Sequence, residues 1–405
     1  MIVSFPNMGD AWVAFKSIFD VLGFDVVLPD PTNREAVKIG VKYSPEFVCF
    51  PFKTTLGDFV NSIEKGADTL VMALDCGPCR FGFYHAVQER ILHDMGYTNV
   101  KVIPLDQADL LDFSWFKLFV KMTGIRNPIS YYKAVKAAKY FVKKAKYVED
   151  IERCEGKLRP YEIHMGDTTR AVKDLLVQLD EANTDQALRS FRNVIANRFR
   201  QIDVDATRHP LRVAIAGEIH VTLESYVNMD IRRRLGELGC EVHQNLSLFD
   251  WVAHKFHMNF HRKWLEHLSK PYMPMDIGGE AVWVLGEYID RARKGFDGFV
   301  HTYPFTCMPE VAARTIISNL LQKKYDLPTI FFSLDEQSGS EGFRTRLEAF
   351  CDLMRGRRNA REAGKLATEG HEMHAGHKDP YLNNNYQTTA ELHAAIESVI
   401  QSKRK

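Results

Sequence analysis

Four of the seven cysteines occur in three short motifs that are far apart in the chain. In each motif an apolar stretch precedes the cysteine and a helical pattern follows it, as where a strand ends and a helix begins. The motifs are residues 47–51 with Cys49, residues 75–80 with Cys76 and Cys79, and residues 305–309 with Cys307. Because thiolates are soft, negatively charged ligands, several of them in one pocket repel one another unless a bound cation balances the charge. The sequence therefore predicts a metal or iron-sulfur centre.

Loops from distant parts of a chain can line one crevice, because the carboxyl ends of parallel strands meet at one edge of a sheet. A helix that begins after each cysteine adds free backbone N–H groups and a positive dipole end, which favour the thiolate and a negatively charged cluster. Two other interpretations remain open. Buried cysteines are common in protein cores, and a Cys-x-x-Cys pair also occurs in redox and zinc sites. A redox pair at residues 76–79 does not account for Cys49 and Cys307.

The three remaining cysteines have less promising surroundings. Cys240 closes a predicted helix, Cys351 lies among apolar neighbours in a predicted helix, and Cys154 lies in a charged segment. We expect a structural or incidental role for each of them.

The motif cysteines are part of a wider similarity. Residues 49–53, 75–82, 304–310 and 333–337 together resemble the 2-hydroxyacyl-CoA dehydratase component D superfamily, in particular its branch of acyl-CoA dehydratase activase-related proteins, and the likeness extends over roughly residues 1–355. The resemblance implies an oxygen-sensitive 4Fe-4S cluster between two Rossmann-like lobes with a helical region beside them. Relatives in the superfamily include benzoyl-CoA reductases and double-cubane cluster proteins, which receive low-potential electrons from a separate ATP-hydrolysing partner.

The resemblance leaves the number of cluster ligands open. Dehydratase subunits hold their cluster with three cysteines and leave one iron open, whereas this chain has four motif cysteines. If all four bind, the closed centre suits electron transfer or a structural role; if one does not, an open iron remains. A double-cubane centre would need further ligands from Cys154, Cys240 and Cys351, which we do not expect.

The sequence contains neither a P-loop nor a Gly-x-Gly-x-x-Gly motif after a strand, so we expect ATP hydrolysis to belong to a separate activator or reductase protein. The resemblance further suggests a related subunit and an acyl-CoA substrate. We therefore expect a low-potential redox enzyme subunit that carries out a reductive dehydration or a reduction. Two alternatives remain: a non-catalytic electron-transfer iron-sulfur protein, and a zinc-stabilised binding protein.

Two carboxylates are candidate catalytic residues. Glu218 follows the predicted strand 211–217, and Glu336 follows the predicted strand 329–334. Both lie where the strand ends of an α/β sheet meet, and each could face a cluster or a substrate. The competing interpretation is a solvated loop carboxylate or a charge at a helix N-terminus.

Two groups of histidines are expected not to bind metal. His254, His257 and His261 have the spacing of one polar helical face, with no carboxylate or cysteine pattern beside them. His371, His374 and His377 lie in a glycine-interrupted tail.

The overall charge excludes some classes of partner. Lys plus Arg number 53 against 52 for Asp plus Glu, so no charge excess favours nucleic acid or an anionic membrane.

No apolar run approaches 18 residues, and the first residues do not have the pattern of a signal peptide. Unpaired thiols are typical of a reducing cytoplasm, which is where we expect the protein.

The pattern of elements predicts an α/β protein with two Rossmann-like lobes, parallel sheets, a helical segment between them and a C-terminal helical tail. The predicted divisions are residues 1–110 with Cys49, Cys76 and Cys79, a helical region at 111–210, residues 211–355 with Cys307, and a basic, histidine-containing tail at 356–405.

Overall fold

The computed structural model describes residues 1–74, 79–106, 128–256 and 258–364. Within them the chain forms two four-stranded parallel sheets with the orders β2-β1-β3-β4 and β6-β5-β7-β8. The strands are β1 Ile2–Ser4, β2 Asp25–Val26, β3 Thr69–Leu74, β4 Lys101–Asp106, β5 Leu211–Gly217, β6 Cys240–Gln244, β7 Gly298–Pro304 and β8 Thr329–Leu334. The predicted α/β class with two Rossmann-like lobes is therefore confirmed. The predicted C-terminal tail lies largely outside the described residues.

Helices connect and flank the strands. The described α-helices are α1 Trp12–Leu22, α2 Arg34–Tyr43, α3 Phe50–Glu64, α4 Tyr84–Asp94, α5 Pro128–Leu158, α6 Asp167–Glu181, α7 Asp185–Arg200, α8 Ile219–Leu223, α9 Ile231–Glu237, α10 Leu248–Lys255, α11 Phe260–Ser269, α12 Ala281–Arg293, α13 Met308–Ile316, α14 Gln322–Tyr325 and α15 Ser340–Glu362. In this part of the chain no helix is both long and apolar enough to cross a membrane. Helices α5 to α7 lie within the predicted helical region, and the exact division points remain predictions.

The two sheets have the same strand order. In each, the chain begins on an inner strand, moves to one edge strand and then crosses to the other side. This order creates a switch point between β1 and β3, and another between β5 and β7, where a crevice opens at the carboxyl ends of the strands. Cys79 follows β3 and Cys307 follows β7. The two cysteines therefore occupy corresponding positions in the two lobes.

Two predicted elements differ from the structure. No strand precedes Cys49: residues 45–48 form a turn after α2, and α3 begins at Phe50. The cysteine still reaches the carboxyl edge, because a helix that leads into a parallel strand begins at that edge. The residue pattern also predicts one helix from about 223 to 238, but α8 ends at Leu223 and only α9 is helical within that range. Met229 and Asp230 both have φ of 57°, a left-handed conformation that interrupts a right-handed helix.

Close contact between α2 and α3 fixes the helix that follows Cys49. A Cβ atom on Gly40 would lie 1.7 Å from the carbonyl oxygen of Lys53, and one on Gly57 would lie 2.0 Å from the carbonyl oxygen of Ala36. The two helix backbones thus approach to a distance that a side chain would prevent.

A buried charge cluster joins the two lobes to the long helix α5. The Arg232 guanidinium lies 3.0 Å from carboxylate oxygens of both Glu152 and Glu155, and 3.6 Å from Asp10. Burial raises the pKa of Asp10 to about 7, with a further increase from Glu152 that Arg232 opposes. One arginine thus holds carboxylates of α5 and of the first lobe against the second lobe.

We predict that Gly40→Ala and Gly57→Ala each lower the free energy of unfolding by about 1–3 kcal/mol, because the added methyl group overpacks the α2–α3 contact. Urea unfolding followed by circular dichroism measures this. Gly356→Ala in α15 is the matched control, since nothing lies within 4 Å of its Cβ position. That change should stabilise the protein by up to about 1 kcal/mol, as alanine favours a helix. Equal effects at all three positions would contradict the packing described here.

Candidate functional site

Three of the four motif cysteines lie immediately before a helix. Cys49 precedes α3, Cys79 precedes a 3-10 helix over Arg80–Phe83, and Cys307 precedes α13. All three have extended backbone at the position where the helix begins, which is the conformation of an N-cap residue. Cys76 lies outside the described residues.

Cys49 contacts a buried tyrosine. Its sulfur lies 2.5 Å from the hydroxyl oxygen of Tyr84, whose ring packs edge-on against Phe52 and Phe81 at centroid distances of 5.0 and 5.1 Å. Burial raises the pKa of Tyr84 well above its ordinary value, so the phenol keeps its proton and can donate it to a sulfur anion.

The loops that carry Cys49 and Cys79 are joined by Arg80. Its guanidinium donates to the backbone oxygen of Phe47 at 2.7 Å. Burial raises the pKa of Cys49, and the carboxylate of Glu218 in the second lobe raises it further. The hydrogen bond from Tyr84 and the positive charge of Arg80 lower this pKa. Cys49 is therefore affected by charges from both lobes.

The pKa of Cys307, in the second lobe, is also affected by burial and by charges from both lobes. Burial raises its pKa above the ordinary range, and the carboxylates of Glu310 and Glu218 raise it further. The backbone of Glu310 opposes this increase, while Cys79 of the first lobe adds to it. Three cysteines from two lobes and Glu218 thus belong to one electrostatic environment.

Glu218 lies at the centre of that environment. It precedes α8 and accepts hydrogen bonds from the backbone N–H groups of His220 at 3.1 Å and Val221 at 2.9 Å. Burial nevertheless raises its pKa to about 7, and Glu310 adds to the increase. Burial also lowers the pKa of His220 to about 4, so this imidazole is neutral at pH 7.

The second candidate carboxylate, Glu336, pairs with a lysine of the other lobe. Its carboxylate lies 2.5 Å from Lys53 Nζ, and the two side chains are 21% and 6% exposed. Lys53 and Glu336 join α3 to the loop after β8 at the edge of the site.

The sequence analysis did not single out Tyr84, or the pair formed by His301 in β7 and Glu310 in α13. The His301 Nε2 atom lies 2.6 Å from the Glu310 carboxylate, and both side chains are fully buried. Glu310 could have been noticed as an acid three residues after Cys307, at the start of a helix. Nothing in the local pattern around Tyr84 indicates its contact with Cys49.

The histidine group at 254–261 does not lie on one helical face, since α10 ends at Lys255 and α11 begins at Phe260. The His254 ring packs against Trp283 at 4.9 Å, and His261 lies 3.6 Å from a carboxylate oxygen of Glu287. His257 falls outside the described residues.

Within the described ranges no group of three or more His, Cys, Asp or Glu side chains has the geometry to hold a metal ion. The chemistry of the donors still fits a soft cationic centre. The pKa values of Cys49 and Cys307 are raised because burial and Glu218 disfavour negative charge there, and a cation would remove that penalty.

An apolar cavity of about 180 Å³ adjoins this site. The described part of its wall includes Phe5 after β1 and side chains of α1, β3, α5 and α10, among them Phe15, Val71, Phe141, Trp251 and Val252. Glu218, His220 and Tyr84 also line it and supply polar groups.

Comparison with known proteins finds one family. Residues 5–72 match the model described as CoA enzyme activase uncharacterised domain (DUF2229). The match spans α1 to α3 and includes Cys49, but it ends before Cys79 and Cys307. No curated protein matches the chain. The first lobe therefore carries a CoA enzyme activase-related domain.

Proposed function

We propose that this chain is an iron-sulfur protein of the 2-hydroxyacyl-CoA dehydratase type, a low-potential redox enzyme subunit for a reductive dehydration or a reduction. Cys49, Cys76, Cys79 and Cys307 would hold a 4Fe-4S cluster, which supplies one-electron chemistry at low potential. The observation that carries the proposal is that Cys79 and Cys307 follow corresponding strands of the two lobes, and that Cys49, Cys79 and Cys307 each lie directly before a helix. Helix N-termini stabilise the negative charge of a thiolate-bound cluster.

The cavity beside the cysteines supports an acyl-CoA substrate. A volume of about 180 Å³ slightly exceeds a cavity of about 150 Å³ that accommodates benzene. It therefore suits a short acyl chain or one ring, with the large polar coenzyme outside. The neutral imidazole of His220 has one N–H donor and one acceptor nitrogen, so it can donate to a carbonyl group or accept from a hydroxyl group of a ligand. Because it is uncharged, it can bind an uncharged ligand.

Glu218 is suited to proton transfer in this site. A carboxyl group with a pKa of about 7 can both give up and accept a proton near neutral pH. It lines the cavity and also affects the thiols of Cys49 and Cys307. We assign Glu218, and not the ion-paired Glu336, as the candidate acid or base.

Exposed apolar side chains lie next to the cysteines in the chain and support docking of a separate ATP-dependent activator protein. We call them the apolar rim: Phe47, Phe83, Phe305 and Met308, which are 73%, 73%, 62% and 51% exposed. Each lies within four residues of Cys49, Cys79 or Cys307. Exposed aromatic side chains that are grouped together are typical of protein interfaces. A partner that covers the rim would also exclude water and oxygen from the centre.

We predict that protein purified without oxygen contains about four iron and four sulfide per chain, and that Cys49→Ser, Cys79→Ser and Cys307→Ser each reduce iron below about one per chain because a ligand is lost. Metal analysis and absorption near 400 nm measure this. Cys154→Ser, at a buried position in α5, is the control and should retain iron. Full iron content in Cys307→Ser would disprove the ligand assignment, and about one zinc per chain would support a zinc-stabilised protein instead.

We predict a pH-dependent effect of Glu218→Gln on the metal-free protein. The wild-type carboxyl group has a raised pKa in the folded state, so its stabilising contribution is present below about pH 4.5 and is lost as the pH rises through about 7. Glutamine does not ionise. The free energy of unfolding of the variant, relative to that of wild type, should therefore increase by about 2 kcal/mol from pH 5 to pH 8.

Urea unfolding at both pH values measures this difference. Glu181→Gln, at an exposed position at the end of α6, is the control. Parallel behaviour of wild type and Glu218→Gln across the two pH values would show that Glu218 is not a proton carrier near neutrality.

We predict that Phe305→Ser slows reduction of the protein by its ATP-dependent donor by about tenfold or more, because a central aromatic contact is lost. Reduction by dithionite should be unchanged, since that reagent needs no docking surface. Stopped-flow absorption measures both rates. Val177→Ser, 55% exposed on α6, is the matched control and should behave like wild type. Equal slowing with dithionite would indicate damage to the centre and not to docking.

A further inference from the structure

Two cysteines outside the candidate centre lie next to each other in the core of the second lobe. The sulfur atoms of Cys240 and Cys351 are 3.7 Å apart, although the residues are 111 positions apart in the chain. Both side chains are fully buried. Cys240 is the first residue of β6, and Cys351 lies within α15.

This pair lies at the opposite edge of the sheet from Cys307. Cys240 is in register with Leu211, the first residue of β5, and so marks the amino edge of the sheet. Cys307 follows the carboxyl end of β7, a strand of seven residues, which separates the two edges by roughly 20 Å. The pair therefore cannot share a cluster with Cys307, and a double-cubane centre that includes it is excluded by distance.

The two sulfur atoms share a hydrogen bond in which either one can be the donor. When one thiol ionises, the other can donate to it, and the guanidinium of Arg355, one helical turn after Cys351, also favours the thiolate. Arg355 donates to the backbone oxygen of Leu238 as well, which holds α15 against the start of β6. The pair can therefore hold one thiolate and one thiol, the combination from which a disulfide forms.

We propose that Cys240 and Cys351 form a reversible oxidation site, in which hydrogen peroxide converts the two thiols into a disulfide that ties α15 to β6. The thiolate of the pair attacks one peroxide oxygen, the O–O bond breaks, and sulfenic acid and hydroxide form. The sulfur of the second cysteine then attacks the sulfenic sulfur, the S–O bond breaks, and the departing hydroxide takes the proton of the second thiol and leaves as water. Two electrons pass from the thiols to the peroxide, which becomes two water molecules in the net reaction.

Little movement is needed for this step. The sulfur atoms must approach from 3.7 Å to about 2.05 Å, which small rotations of the two side chains and a slight shift of α15 can supply. Peroxide is small and uncharged, so it can reach a buried thiol through local opening of the helix. The resulting bond closes a long loop and so restricts the unfolded chain.

The test uses the full-length protein, treated with graded hydrogen peroxide, unfolded, alkylated, digested and measured by mass spectrometry. A peptide pair linked through Cys240 and Cys351, two hydrogens lighter than the reduced peptides and reversed by dithiothreitol, is expected. The oxidised protein should also melt roughly 5 °C higher. Cys154, equally buried but in α5, is the internal control and should remain reduced at the same dose.

Two variants test whether the thiols act as a pair. Cys240→Ser and Cys351→Ser should each abolish the disulfide, and the reaction at the remaining cysteine should stop at a sulfenic acid, which dimedone captures. Recovery of both cysteines in reduced form at a peroxide dose that oxidises Cys49 or Cys79 would overturn the proposal. So would oxidation of Cys154 at the same rate, because it would show that burial alone, without a paired thiol, allows the reaction.

Discussion

The cost of negative charge at Cys49, Cys307 and Glu218 is the constraint on which the site depends. These groups are partly buried, and removal from water raises the pKa values of all three. Helix N-termini and Arg80 provide part of the opposing positive charge. A bound cationic centre would complete that balance and allow the thiols to lose their protons together.

The proposed centre takes ligands from both lobes and therefore depends on their relative positions. Among the described residues, the polar contacts between the lobes include the Lys53–Glu336 ion pair, the hydrogen bond from the Gly9 backbone to Glu224, and the cluster in which Arg232 meets Asp10 and the carboxylates of α5. Each is largely buried, so breaking one leaves an uncompensated charge, which costs more than the net strength of an intact pair. These contacts therefore resist separation of the lobes that carry Cys49 and Cys307.

The pattern of apolar and polar residues correctly predicted strands whose formation depends on their own sequence. The strands Leu211–Gly217 and Thr329–Leu334 were predicted with the observed bounds, because a continuous apolar run between polar turns leaves little ambiguity. The strand before Cys49 was wrong, since a short apolar run does not distinguish a strand from a turn that packs beside a helix. The helix near 223–238 was wrong because the left-handed conformation at Asp230 depends on its surroundings and not on its residue type.

The sequence by itself determined the α/β class, the repeated order of strands and helices, and the positions of the cysteines at the starts of helices, since these follow from the spacing of apolar residues and from neighbouring residue types. Only the tertiary structure decided that Glu336 pairs with Lys53, that Cys49 contacts Tyr84, and that Cys240 meets Cys351. Contacts between residues that are distant in the chain depend on the order of strands in each sheet and on the packing of the two lobes. Local periodicity contains no information about either.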